Sequence, residues 1–72
     1  MKPLNECQYY LVRAMYGLGA SETDEVYADT LEHIRRDGLA GWTRFQVDAL
    51  IDAAARRGRL AELDHVVSGE VR

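Results

Sequence analysis

The chain of 72 residues is 47% hydrophobic and 29% charged, with a formal net charge of −3; this composition excludes a disordered chain and allows one small domain. The acidic balance opposes binding to a nucleic-acid duplex, and the single cysteine excludes an intrachain disulfide. The sequence contains neither a membrane-spanning apolar run nor the charged and apolar segments of a secretory signal, so we expect a cytoplasmic protein.

The first predicted helix covers residues 4–16. Apolar side chains recur along it at helical spacing, and three further positions form a second stripe beside them. The first stripe consists of Leu4, Cys7, Leu11, Met15 and Leu18, and the second of Tyr9, Val12 and Tyr16. An apolar surface this wide indicates contacts on two sides, one with the core and one with another helix or a partner. Gly17 and Gly19 are predicted to end the helix.

The second predicted helix covers residues 22–37. Ser21 is the expected N-cap residue, its hydroxyl accepting a hydrogen bond from a backbone N–H of the first turn. The predicted inward stripe consists of Val26, Tyr27, Leu31 and Ile34. Arg35 and Arg36 fall in the last turn, where positive charge is favoured, and Gly38 is predicted to form a left-handed cap.

The third predicted helix covers residues 44–57 and has the clearest start signal. Thr43 and Gln46 have the spacing of a capping box, and Trp42 is placed to pack on Val47 as a hydrophobic staple. The predicted core face consists of Val47, Leu50, Ile51 and Ala54.

A short fourth helix is predicted at residues 60–67, followed by a frayed tail at 68–72. Its apolar positions are Leu60, Leu63, Val66 and Val67. Because no segment alternates between apolar and polar residues, we expect an all-α fold, a small bundle of three main helices plus a short C-terminal helix.

Three arginines, Arg56, Arg57 and Arg59, surround Gly58 between the third and fourth helices. One interpretation is structural: paired cations stabilise the negative end of a helix, which the glycine then terminates. The alternative is that the three arginines bind nucleic-acid phosphates as part of a helix-turn-helix motif. The would-be recognition helix at 60–67 has no Arg, Lys, Asn or Gln, which argues against direct DNA binding.

Five acidic residues and no basic residue occur in the interval 22–32. They are Glu22, Asp24, Glu25, Asp29 and Glu32. In one interpretation they form a solvated helix face, on which Glu32 pairs with Arg35 or Arg36. In the other they steer the chain toward a basic groove of a partner protein.

Candidate catalytic and metal-binding residues are few. Cys7, His33 and His65 lie on three different predicted helices without paired ligand spacing, so no metal or cofactor is expected. Cys7 is interpreted as a small core residue and the histidines as surface or helix-end residues. Since no phosphate loop or nucleophilic constellation accompanies them, we expect a protein without enzymatic activity.

Three of the six aromatic residues lie on the first predicted helix. Tyr9, Tyr10 and Tyr16 crowd the first helix, and Trp42 stands in a loop. A core this small cannot hide so many rings, and Tyr and Trp are enriched at interface hot spots. We therefore predict that these four residues contact a partner or a second copy of the chain, with at least one of Tyr9, Tyr10 and Trp42 exposed.

Three stretches are similar, in order and spacing, to segments of the Hha family of small helical proteins. They are KPLNECQYYLVR at Lys2–Arg13, DTLEHI at Asp29–Ile34, and an AA…RLAEL pattern at Ala54–Leu63. The resemblance implies binding to a nucleoid-structuring protein and modulation of gene silencing. Arg56 and Arg57 replace the acidic–histidine pair of the family, so its partner-binding acid has no counterpart here.

The sequence as a whole favours a small non-enzymatic protein that binds another protein as an adaptor or inhibitor, of the kind that phages and mobile elements encode. Two other classes stay open. One is a nucleic-acid-linked regulator, acting through Arg56, Arg57 and Arg59 or through a nucleoid protein. The other is a homodimeric scaffold.

Overall fold

The computed structural model describes residues 1–19 and 21–69, and within these residues it contains four α-helices and no β-strand. The helices are α1 (Leu4–Met15), α2 (Asp24–Asp37), α3 (Arg44–Arg56) and α4 (Leu60–Ser68). The predicted all-α bundle is confirmed, and each observed end lies within two residues of its prediction. Ser68 belongs to α4, whereas residues 70–72 of the predicted tail lie outside the described residues.

The start of α2 differs from the prediction. Its N-cap residue is Thr23, whose hydroxyl accepts a hydrogen bond from the backbone N–H of Val26 at 3.2 Å. Ser21 is therefore not the cap. The backbone is still extended at Thr23 (φ −93°, ψ 174°). This later start leaves Glu22 outside the helix, where its side chain is free to turn into the protein.

The start of α3 and the ends of two helices follow the prediction. The hydroxyl of Thr43 accepts from the backbone N–H of Gln46, and the Gln46 amide oxygen accepts from the backbone N–H of Thr43, both at 3.0 Å. This reciprocal pair is the expected capping box. Gly38 and Gly58 follow α2 and α3 with φ values of +68° and +67°, so both glycines end helices as predicted. The left-handed cap predicted at Gly38 is wrong, because its ψ of −155° lies outside the left-handed helical region.

The four helices form a closed ring in which α1 packs against α2 and α3, and α4 packs against α2 and α3. The space between them holds the apolar core. Its buried members include Leu11 of α1, Tyr27, Leu31 and Ile34 of α2, Leu50 of α3, and Leu63 and Val66 of α4. The Cα radius of gyration of 11.2 Å equals the value of about 11 Å expected for one domain of this length.

The buried face of α3 is rotated relative to the prediction. Ala49 and Ala53 are fully buried, whereas Ile51 is 45% exposed. Phe45 lies one turn before Ala49 on the same stripe and contacts the ring of Tyr16, the residue that follows α1, with 5.7 Å between ring centroids. The small alanine side chains therefore face the neighbouring helix α1. Five other members of the predicted apolar stripes are also exposed, namely Tyr9, Tyr16, Leu18, Leu60 and Val67.

Candidate functional site

Arg56 and Arg57, at the end of α3, hold the carboxylate of Glu22. Arg56 donates two hydrogen bonds of 3.1 Å, one to each carboxylate oxygen, and Arg57 donates a third of 2.7 Å. The Glu22 side chain is only 2% exposed. We call these three residues the Glu22 clamp. It joins the segment before α2 to the end of α3.

Both sides of the clamp are charged. Burial raises the pKa of Glu22, but the hydrogen bonds and positive charges of Arg56 and Arg57 outweigh it and leave that pKa below its usual value. The hydrogen bond to Glu22 in turn raises the pKa of Arg56. The third arginine, Arg59, pairs with Glu62 at 2.7 Å between Nε and Oε1. All three arginines therefore serve contacts within the chain.

Tyr27 lies beneath two of these arginines. The guanidinium carbons of Arg57 and Arg59 are 4.7 and 5.6 Å from the centroid of its ring. Tyr27 is 1% exposed, and burial raises the pKa of its hydroxyl. The arginines thus cover an aromatic core residue as well as neutralising carboxylates, which leaves them poorly placed to receive a phosphate.

The predicted acidic face is divided by these ion pairs. The prediction that Glu22 lies on a solvated helix face is wrong, because its side chain is buried. Hydrogen bonds from Arg56 and Arg57, which are distant in sequence, hold it there. Asp24 remains at the surface, but its carboxylate accepts a hydrogen bond from Arg57 Nε at 3.1 Å.

The other three acids have different environments. Asp29 accepts a hydrogen bond from the backbone N–H of Lys2 at 3.0 Å, which ties the chain before α1 to α2. Glu32 accepts from Arg35 at 3.3 Å, so the predicted short-range pair is confirmed. Glu25 is exposed and forms no ion pair within the described part of the chain. Steering by these acids stays a prediction.

The predicted aromatic surface is partly assembled. Tyr9 on α1 and Tyr16, directly after α1, are each 56% exposed, and with Phe45 they form what we call the tyrosine face. Tyr10 is half-buried, with its ring edge-on to Tyr9 at 5.5 Å. Trp42 is half-buried against the core. The expectation that at least one of Tyr9, Tyr10 and Trp42 is exposed is confirmed by Tyr9. Contact of these residues with a partner stays a prediction.

An apolar groove lies between α3 and α4, on a surface that the sequence assigned to the core. Its volume is about 340 Å³, and the buried Leu50 and Leu63 contribute to its lining. Three half-exposed side chains also line it: Ile51 (45%), Leu60 (48%) and Val67 (38%). We call it the α3–α4 groove. The only sequence signal for it was the width of the apolar stripes, which exceed what two neighbouring helices cover.

One charged side chain, Asp64 of α4, contributes to the lining of the groove. Within residues 1–19 and 21–69 it forms no ion pair. Glu62, two residues before it, pairs with Arg59, and Asp52 of α3 pairs with Arg56 at 3.0 Å. The groove therefore combines an apolar lining with a single unpaired carboxylate.

The residues considered for chemistry are dispersed. Cys7 is fully buried, as predicted, and burial raises the pKa of its thiol. The ring of His33 donates to the backbone carbonyl of Lys2 at 2.8 Å, and His65 is exposed on α4. In the described residues no cluster of three His, Cys, Asp or Glu side chains could ligate a metal. None of the described helices is long and apolar enough to span a bilayer.

Comparison with protein-family models, with curated proteins and with solved structures finds no match to this chain. The resemblance to the Hha family therefore gains no support from these comparisons, and functional inference depends on the geometry of the described surfaces.

Proposed function

We propose that this chain is a non-enzymatic protein-binding module of the cytoplasm, acting as an adaptor or inhibitor, and that the α3–α4 groove is its contact surface. One observation carries the proposal: Ile51, Leu60 and Val67 remain 38–48% exposed around a groove of about 340 Å³. Apolar side chains grouped around an open groove are typical of a surface that a partner covers.

The tyrosine face is a weaker candidate for the same role. The guanidinium of Arg13 lies 5.4 Å from the ring centroid of Tyr9 and donates to its hydroxyl at 3.3 Å. Tyr16 likewise contacts Phe45. These rings already have partners within the chain, whereas the side chains around the groove leave an open volume. The groove is therefore the preferred surface.

A nucleic-acid function through Arg56, Arg57 and Arg59 is less favoured. A phosphate would have to displace Glu22, Asp24 or Glu62 from these arginines. Separating Glu22 from its arginines would also leave a buried charge without partners, which is costly.

Affinity capture from extracts of the source cells tests the proposal, with and without nuclease treatment. Leu60→Asp places a charge at the groove, and Leu18→Asp is the matched control because the two leucines are 48% and 51% exposed. We expect one protein to be retained by the wild type and by Leu18→Asp after nuclease treatment, and to be lost with Leu60→Asp.

Two results would contradict the proposal. Equal retention by Leu60→Asp would place the contact elsewhere, and a Tyr9→Ser/Tyr16→Ser variant would then test the tyrosine face. Loss of the partner on nuclease treatment would favour the nucleic-acid-linked class. Sedimentation of the wild-type chain at several concentrations checks the third class, since a homodimeric scaffold would show concentration-dependent self-association that Leu60→Asp reduces.

A further inference from the structure

We infer that the α3–α4 groove binds one face of an amphipathic α-helix that carries a basic side chain beside its apolar stripe. The inference rests on the proposed function and names the chemistry of the partner. Three features of the groove carry it: its length along α4, its helical walls, and the unpaired carboxylate of Asp64.

The length of the groove matches two turns of a helix. Leu60 and Val67 both line it and are seven residues apart on α4, a separation of about 10 Å at 1.5 Å per residue. A partner helix with apolar residues at i, i+4 and i+7 presents three side chains over the same distance. The volume of about 340 Å³ suits a few inserted side chains rather than a larger body.

The walls of the groove favour a helix over an extended peptide. Within the described residues the chain has no β-strand. Apart from Leu39, which follows α2, the residues that line the groove belong to α3 and α4, whose backbone groups bond internally. An extended peptide would find no strand edge to pair with, and its own N–H and C=O groups would face apolar side chains. A helix brings its backbone hydrogen bonds with it.

The carboxylate of Asp64 favours a partner helix with a basic residue beside its apolar stripe. Asp64 is the one charged residue in the lining, and the rest of the lining is apolar. It forms no ion pair within the described chain, so a Lys or Arg of the partner gains a contact there without displacing another cation. An acidic flank would be repelled, and the net charge of −3 acts in the same direction.

Selection from a phage-displayed library of random 16-residue peptides tests the inference, with the wild-type chain as target and Leu60→Asp as counter-selection. We expect enriched peptides with apolar residues at i, i+3 or i+4, and i+7 and with a Lys or Arg beside that stripe. Synthetic versions should gain helical circular dichroism on binding, and Asp64→Lys should weaken them about fivefold at low salt.

Glu25→Lys is the charge-matched control, because Glu25 is exposed on α2 and is not part of the groove lining. Its effect should be less than twofold, and replacing the peptide's Lys by Glu should restore affinity for Asp64→Lys. Equal losses with both variants would assign the preference to net charge and overturn the role of Asp64.

Enriched peptides that are proline-rich, that lack an apolar stripe or that carry acidic flanks would overturn the inference, as would no enrichment over Leu60→Asp. The two proposals fail separately. If Leu60→Asp abolishes capture of the cellular partner while selection returns no helices, the protein-binding function stands and the helical partner does not. If Leu60→Asp changes neither the capture of the cellular partner nor the selection of peptides, both proposals are wrong.

Discussion

At the residue scale, the Glu22 clamp uses a buried carboxylate, which is unfavourable on its own, to join the segment before α2 to the end of α3. A carboxylate that is 2% exposed loses nearly all of its hydration, a penalty that is offset only when strong donors replace the water. Arg56 supplies a two-point hydrogen bond and Arg57 a third contact. The clamp also fixes the direction in which the chain enters α2.

Replacing Glu22 by Gln is expected to lower the free energy of unfolding by about 2 kcal/mol. Removing one partner of a fully buried pair costs roughly 3–5 kcal/mol. The cost should be smaller here because the Arg56 side chain is 44% exposed and water takes over part of the lost contact. Urea unfolding measures the change. The control is Glu25→Gln, which is expected to stay within about 0.5 kcal/mol of the wild type. Equal stabilities of the two variants would show that the clamp contributes nothing.

The clamp also gives the chain a defined pH dependence. The folded state holds the pKa of Glu22 below its usual value, so the unfolded state takes up the proton first as pH falls, at about pH 4.3. The stabilisation from this carboxylate is complete above that pH and is lost as pH falls through the folded pKa. The stability difference between wild type and Glu22→Gln should therefore shrink below about pH 4.3. A difference that stays constant from pH 7 to pH 3 would contradict the assignment.

At the scale of the elements, the end of α2 depends on a backbone conformation that only glycine adopts easily. Gly38 has φ 68° and ψ −155°, a region that is almost exclusive to glycine. A Cβ added there would meet no atom within 4 Å. The restriction therefore comes from the backbone of this residue and not from its neighbours.

Gly38→Ala is expected to cost about 2 kcal/mol, through backbone strain alone. Asp37→Ala is a neighbouring control at an exposed position and is expected to change the free energy of unfolding by less than about 0.5 kcal/mol. Thermal or urea unfolding compares the two variants. Equal stability would mean that the chain after α2 relaxes to another turn at no cost.

An element can be predicted from the sequence when the residues whose contacts define it lie close together in the chain. Thr43 and Gln46 are three residues apart, so the capping box is visible in the sequence, and the glycine at a helix end is equally local. Glu22 and Arg56 are 34 residues apart. No periodicity connects two such positions, and the clamp could not be derived from the sequence.

The α3–α4 groove could not be predicted from the sequence for a related reason. Leu60, Leu63 and Val67 share one apolar stripe of α4, yet only Leu63 is buried, because the stripe is wider than the surface that α2 and α3 cover. A pattern shows which residues are apolar and on which face they lie. Which of them remain uncovered depends on how the neighbouring helices pack.

At the scale of the whole molecule, α4 closes the ring of helices although few interactions within the helix itself stabilise it. It has nine residues, no side-chain hydrogen bond at its N-cap, and two buried side chains, Leu63 and Val66. An isolated helix of this length is marginal in water. Its position therefore depends on packing against α2 and α3, the same packing that leaves the groove open.

Amide hydrogen exchange should consequently find α4 opening before the rest of the fold. We expect the amides near Leu63 to exchange with a lower opening free energy than those near Leu31 of α2 and Leu50 of α3, which lie in the centre of the core. A saturating helical peptide in the groove should slow exchange in α4 more than in α2, because it adds contacts to Leu60 and Val67. Uniform opening free energies across the four helices would contradict this. They would mean that α4 is part of one cooperative unit and that the groove has a rigid wall before any partner arrives.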